Sequence, residues 1–166
     1  MTATAESTVA RQGGAAAVAA LALGGFGIGT TEFATMGLLP QMASTFDISI
    51  PTAGHAISLY ALGVVVGAPL IAGLAAKLPR KGLLIGLTLA LALGNGLSAV
   101  APNTFLLMTA RFVAGLPHGA YFGIAAVVAA ALVPPERRGT AVARIMVGLT
   151  VANLVGVPVA TAAGQQ

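Results

Sequence analysis

Five apolar stretches, roughly residues 15–39, 52–76, 82–101, 105–133 and 140–164, constrain this chain more than any other feature. Each is long enough to cross the hydrocarbon core of a bilayer as a helix, which takes about 20 residues. Water is the wrong solvent for them. Of the 166 residues, 57% are hydrophobic and 7% charged, whereas a soluble domain carries about 25% charged residues. A soluble domain of this length would also leave about a third of its surface wet. Lipid tolerates no unpaired backbone, so the spans must be helical. The alternating segments of about ten residues that barrel strands require are absent. The expected fold class is an all-α membrane protein with five transmembrane helices.

Residues 1–14 are small and polar, with Glu6 and Arg11 their only charges, and read as a disordered cytoplasmic tail. Residues 15–166 form the membrane domain. The first apolar stretch far exceeds a signal-peptide core of about 7–15 residues, so it reads as a retained span. Cations then orient the bundle. Lys77, Arg80 and Lys81 lie between spans two and three, and Arg137, Arg138 and Arg144 flank the connection between spans four and five. The other two connections hold no Lys or Arg. The positive-inside rule places the N-terminus and the charged connections in the cytoplasm. The net charge of +4 is explained by this distribution and points to no nucleic-acid partner. With no Cys in the chain, disulfides and thiolate metal sites are excluded.

Small residues recur at every fourth position. Span five carries Gly148, Ala152, Gly156, Ala160 and Gly164; span three carries Gly82, Gly86, Ala90, Gly94 and Ser98. Span four offers Gly115, Gly119 and Gly123, and span two Gly63 and Gly67. Such rows let helix backbones approach closely in lipid. Two readings stand: static packing, or smooth faces along which helices rock. Pro69, Pro117 and Pro158 lie inside spans, as tolerated kinks or as bend points.

Ionisable groups inside a span are functional candidates because each is costly in hydrocarbon. Glu32 lies about 10 Å below the outer end of span one, and Arg111 about 9 Å below the outer end of span four, at the helical rise. Their matching depths and opposite charges suggest an ion pair or a shared proton and substrate site. A purely structural pair is the alternative, as is a Glu32 in the headgroup zone. His118 follows Arg111 by two turns on the same face, which Tyr121 extends, and Asn153 reaches a similar depth on span five. Tyr60 and Asn95 either line a cavity or satisfy neighbouring helices; for Asn95 the second is preferred. His55 reads as interfacial. No phosphate loop, metalloprotease motif or nucleophile elbow occurs, and no carboxylate, His or Cys cluster has metal spacing. Neither an enzyme, a cofactor nor a metal is expected.

The stretch Gly29-Thr-Thr-Glu-Phe-Ala-Thr-Met-Gly-Leu-Leu-Pro40 resembles the first-helix signature of the drug:proton antiporter and arabinose/chloramphenicol efflux branch of the major facilitator superfamily. Tyr60 to Pro69 is similar to that branch's second helix. The superfamily's cytoplasmic loop motif, G-x-L-A-D-R-x-G-R-K-x-x-L, is approximated from Ala72 to Leu84. Leu74, Ala75, Lys77, Arg80, Lys81 and Leu84 fit; Ala72, Ala76 and Pro79 depart. Ala76 replaces the Asp that family members use to latch the cytoplasmic gate, so the basic trio serves either topology alone or a latch of another kind. The fourth-helix motif, L-x-x-x-R-x-x-Q-G, is met by Leu107, Arg111 and Gly115, with Ala114 in place of Gln. Ala152, Gly156 and Pro158 approximate the fifth-helix antiporter motif, its proline one place late.

The resemblance implies that the five spans form most of an N-terminal six-helix bundle, with helices one and four lining a central cavity. It implies proton-coupled efflux of a small organic molecule, a drug or a sugar, by alternating access across the bacterial inner (plasma) membrane. Transporters pair two repeats around a midplane site. With five spans and an end at Gly164-Gln165-Gln166, the chain is expected to be a fragment that works with a missing C-terminal half. The alternative is a truncated, transport-inactive membrane protein that at most associates with other chains.

Overall fold

Alanine, with the highest helix propensity of any residue, dominates the start of α1 (Thr2–Gly37). The computed structural model describes the backbone of residues 2–164 and the side chains of residues 14–164. The polar leader expected as a disordered tail is therefore carried as helix back to Thr2, since it holds no proline before Gly13-Gly14 to stop it. Its membrane-length portion is Gly14–Gly37. Gln165 and Gln166, taken as the end of the membrane domain, lie outside the described residues.

A short helix not expected from the sequence follows: α2 (Leu39–Thr45). Pro40 sits in its first turn, where a missing N–H costs nothing, so Leu39-Pro40 starts a new helix rather than closing the old span. Asp47, at φ 51°, then reverses the chain in the left-handed region that Asp tolerates. Helices α3 (Ile50–Leu74), α4 (Arg80–Ala99) and α5 (Thr104–Ala131) cross as the apolar runs predict. Ser49 and Asn103 cap α3 and α5, their side chains accepting from the backbone N–H of Thr52 at 3.2 Å and of Leu106 at 2.9 Å. Such caps are worth about 1 kcal/mol each.

A 3-10 turn (Pro135–Arg137) leads into α6 (Arg138–Val151), a π-helical turn (Ala152–Gly156) and α7 (Val157–Gly164). The fifth span, Pro135–Gly164, thus runs through a π-helical turn next to Pro158, the interior proline expected as a kink or a bend point. Pro158 cannot donate, and its ring would press on a carbonyl one turn back. The wider π turn, in which the Val157 N–H reaches back to the Ala152 carbonyl, absorbs that conflict. No strand occurs among the described residues.

Two parallel helix pairs organise the bundle. Along α3 and α5, a Cβ added to Gly63 or Gly67 would meet the Phe112 or Leu116 carbonyl, and one added to Gly115 would meet the Tyr60 carbonyl. Along α1 and the fifth span, Gly148 abuts Ala22, Gly156 abuts Thr30 and Gly164 abuts Leu38. The row on α4 behaves differently. Gly94 touches Ala114, but Gly86 faces open space. Helix α5 is the axis: 44% of its apolar window is buried, against 17–28% in the other four. Outward, Leu23, Val65, Leu74, Leu93 and Leu154 are each at least 69% exposed. Burying such side chains is worth about 1.5–3 kcal/mol apiece, and lipid supplies that burial.

Candidate functional site

Polar side chains from four helices meet beside α5. The chain starts on α4, where Asn95 anchors its own amide nitrogen on the Leu91 carbonyl at 2.9 Å. Its freed Oδ1 accepts from Arg111 Nη1 at 3.0 Å. Arg111 is 3% exposed, and its guanidinium carbon lies 4.4 Å from the centroid of the Tyr60 ring. The Tyr60 hydroxyl in turn reaches His118 Nδ1 at 2.9 Å, and the same nitrogen stands 3.9 Å from Glu32 Oε2. The run is Asn95, Arg111, Tyr60, His118, Glu32.

Of the two readings of Glu32 and Arg111, an ion pair or a shared proton and substrate site, the ion pair is not formed. Among the described residues the one contact of ion-pair range is Glu32 with His118. Depths counted from expected helix ends mislead here because α1 stops at Gly37 rather than Leu39, and equal depth does not by itself bring two side chains into contact. Arg111 instead relies on an amide and an aromatic face. Guanidinium over a desolvated ring is worth about 2 kcal/mol, and a hydrogen bond to a charged group about 1.5–3 kcal/mol.

One nitrogen thus serves two partners. At 2.9 Å the Tyr60 contact is a hydrogen bond, whereas 3.9 Å to Glu32 is too long for one. A bare Nδ1 accepts from the Tyr60 hydroxyl; a protonated Nδ1 can donate to the carboxylate. The His118 and Glu32 side chains keep 12% and 25% exposure, so this end of the run meets the open face of the bundle. Phe122 packs on His118 with ring centroids 5.3 Å apart.

Other candidates fall elsewhere. Tyr121 is buried, and its hydroxyl donates to the Leu21 carbonyl at 2.9 Å, tying α5 to α1 outside the run. Asn153 is exposed, its amide donating to Leu149 of its own helix at 3.1 Å. Leu74, Lys77, Arg80 and Lys81 are exposed around the turn from α3 to α4, with no carboxylate in ion-pair range among the described residues. Gly115, Gly148 and Gly156 sit at the helix contacts above; Pro158 follows the π turn. His55 is exposed on α3. For Asn95 the sequence favours satisfying a neighbour over a place in the site, and its amide oxygen satisfies Arg111. Its link to Arg111 had a sequence signal, because the two are equidistant from Asn103 at the tip of the α4–α5 hairpin. Antiparallel neighbours equidistant from a tip lie at the same depth.

The profile of the Major Facilitator Superfamily matches residues 21–166. The chain is 53% identical over 146 residues to the inner membrane transport protein YdhP of Escherichia coli, covering 88% of this chain and 38% of that protein. It is 42% identical over 159 residues to the uncharacterized MFS-type transporter YtbD of Bacillus subtilis, covering 96% and 40%. To a chloramphenicol resistance protein of Streptomyces lividans it is 40% identical over 131 residues, covering 79% and 33%. The chain therefore spans about 38% of the length of the first of these relatives.

Proposed function

This chain belongs to the major facilitator superfamily, and from that premise we propose that it forms part of a proton-coupled exporter of small organic molecules. The activity is that of the complete protein. In it, the five helices rock as a unit against the remaining spans, opening the face that carries Glu32 and His118 to either side of the inner membrane. The N-terminus and the turns bearing Lys77, Arg80, Lys81, Arg137 and Arg138 face the cytoplasm, as the positive-inside rule requires.

The observation that carries the reading is the position of His118 Nδ1 between the Tyr60 hydroxyl and Glu32. Glu32 is the one carboxylate within the five apolar stretches. A proton arriving on His118 Nδ1 takes up the lone pair that accepts from Tyr60 and turns the nitrogen into a donor facing the Glu32 carboxylate, 3.9 Å away; closing that gap makes a charge-assisted hydrogen bond, about twice as strong as a neutral one. Releasing Tyr60 alters the ring that covers Arg111, so a single proton reaches from one end of the run to the other. A buried charge must be paired or neutralised at each step, which links proton and substrate occupancy in alternating access. The name of the chloramphenicol resistance relative favours hydrophobic antibiotics as the substrate class, with sugars next.

The test is resistance. The complete protein, expressed in a pump-deficient host, should raise tolerance to hydrophobic antibiotics, and a protonophore should abolish the accompanying efflux. Efflux that persists in full with the proton gradient collapsed would contradict proton coupling. Single Cys residues at Ser49 and Gly139 test the orientation: an impermeant thiol reagent should label position 49 and spare 139 in intact cells. The reverse pattern would overturn it.

A further inference from the structure

Two arginines that take no part in the polar run converge on a cavity of about 470 Å³, where α1, the end of α5 and the start of α6 meet. Glu136, Arg137, Thr140 and Arg144 form its polar side, and Val18, Leu132 and Val133 its apolar side. Both arginines are exposed as well as lining the cavity, so a guest can reach them. Neither has a carboxylate in ion-pair range among the described residues. Glu136 offsets one of the two cations, and these side chains keep a net charge of +1.

The depth of the cavity narrows the guest. Helix α1 and the fifth span run parallel, with Gly148 against Ala22 and Gly156 against Thr30. That constant offset sets Arg144 level with Val18, one turn inside the apolar portion of α1 that starts at Gly14. Arg137, seven residues earlier and so about 10 Å further out along the helix, falls beyond that start. The two cations therefore straddle the boundary between hydrocarbon and headgroups. A cation one turn into hydrocarbon either reaches back to the headgroups or holds an anion. The anion that a bilayer supplies at this level is a phosphodiester, and guanidinium forks match its oxygens. We propose that this cavity binds the phosphate of an anionic phospholipid, between Arg137 and Arg144, with the first acyl carbons along Val18, Leu132 and Val133. A free phosphate would leave that apolar side unused. The volume is that of an ordinary small-molecule site. On the orientation proposed above the leaflet is the inner one, but binding itself depends neither on that orientation nor on proton coupling.

The experiment is native mass spectrometry of the purified, delipidated complete protein, titrated with phosphatidylglycerol or with phosphatidylcholine of the same chains. The first phosphatidylglycerol should bind more tightly than the first phosphatidylcholine. One cation near the surface is worth about fivefold in affinity for an anionic lipid. Arg137→Gln and Arg144→Gln should each weaken phosphatidylglycerol by about that factor. Lys77→Gln removes the same charge from the turn between α3 and α4 and should leave the affinity unchanged. Phosphatidylcholine binding, the same in every variant, reports that each is folded; should Arg144→Gln not express, Arg137→Gln carries the test. Equal affinity for the two lipids would overturn the proposal. So would arginine variants that bind phosphatidylglycerol like the wild type, or a Lys77→Gln loss as large as theirs. A parallel titration with inorganic phosphate, read by thermal unfolding, separates the sources. Stabilisation by phosphate alone that Arg137→Gln abolishes would give the cavity to a soluble anion and overturn the lipid assignment; no response to phosphate supports it.

Discussion

Tyr60 serves two neighbours with two different parts of one side chain, and Tyr60→Phe separates them. The substitution removes the hydroxyl that reaches His118 Nδ1 at 2.9 Å and leaves the ring over Arg111. A net hydrogen bond is worth about 0.5–1.5 kcal/mol, and stranding a buried partner costs about 1–3 kcal/mol. The His118 side chain keeps 12% exposure, so water or Glu32 can compensate in part, and the expected loss is about 1 kcal/mol. Tyr60→Leu also removes the ring, 4.4 Å from the Arg111 guanidinium carbon. That adds about 2 kcal/mol of cation–π energy at a desolvated site, besides the cavity left by a residue only 2% exposed. Unfolding of the complete protein in detergent should rank wild type above Tyr60→Phe and Tyr60→Phe well above Tyr60→Leu. In Arg111→Leu the gap between the two Tyr60 variants should shrink to the cavity contribution. A gap that stays the same in both backgrounds would refute the stacked arrangement.

Helix seams give a contrasted pair. Gly115→Ala drives a methyl into the Tyr60 backbone carbonyl, whereas Gly86→Ala meets nothing within 4 Å; the first should cost about 1–3 kcal/mol and lower membrane expression, the second should not. Equal expression of the two would contradict the α3–α5 packing. Asn95→Ala should strand Arg111 and destabilise by about 1.5–3 kcal/mol, while Asn153→Ala, exposed and bonded only within its own helix, should be silent in the same unfolding assay. The opposite order would place Asn153 in a buried network.

Spans were legible because a bilayer reads only length and hydropathy, and five windows satisfied both without reference to packing. The Gly63, Gly67, Gly115 and Gly119 positions were legible for a related reason: small residues every fourth place have few uses in lipid other than close approach. The ends of the elements were not. Helix α2 hid at Leu39-Pro40 because an apolar-proline pair closes a span as readily as it starts a helix. The site was half visible. Glu32, Tyr60, Arg111 and His118 stood out as polar groups in apolar runs, but which ones touch depends on the stagger of α1 against α5, and hydropathy carries no stagger. Glu32 therefore met His118 rather than Arg111. Asn95 was different, because hairpin symmetry about Asn103 held its pairing with Arg111 in plain view.

Glu32, held beside His118, is proposed to couple proton movement to export. Proteoliposomes containing the complete protein and an internal pH dye measure this directly, as protons moved when substrate is added under an imposed pH gradient. Substrate counterflow across the same vesicles, with no gradient, reports binding and rocking alone. In Glu32→Gln, substrate-driven proton movement should disappear while counterflow persists. Proton movement at the wild-type rate in Glu32→Gln would contradict it.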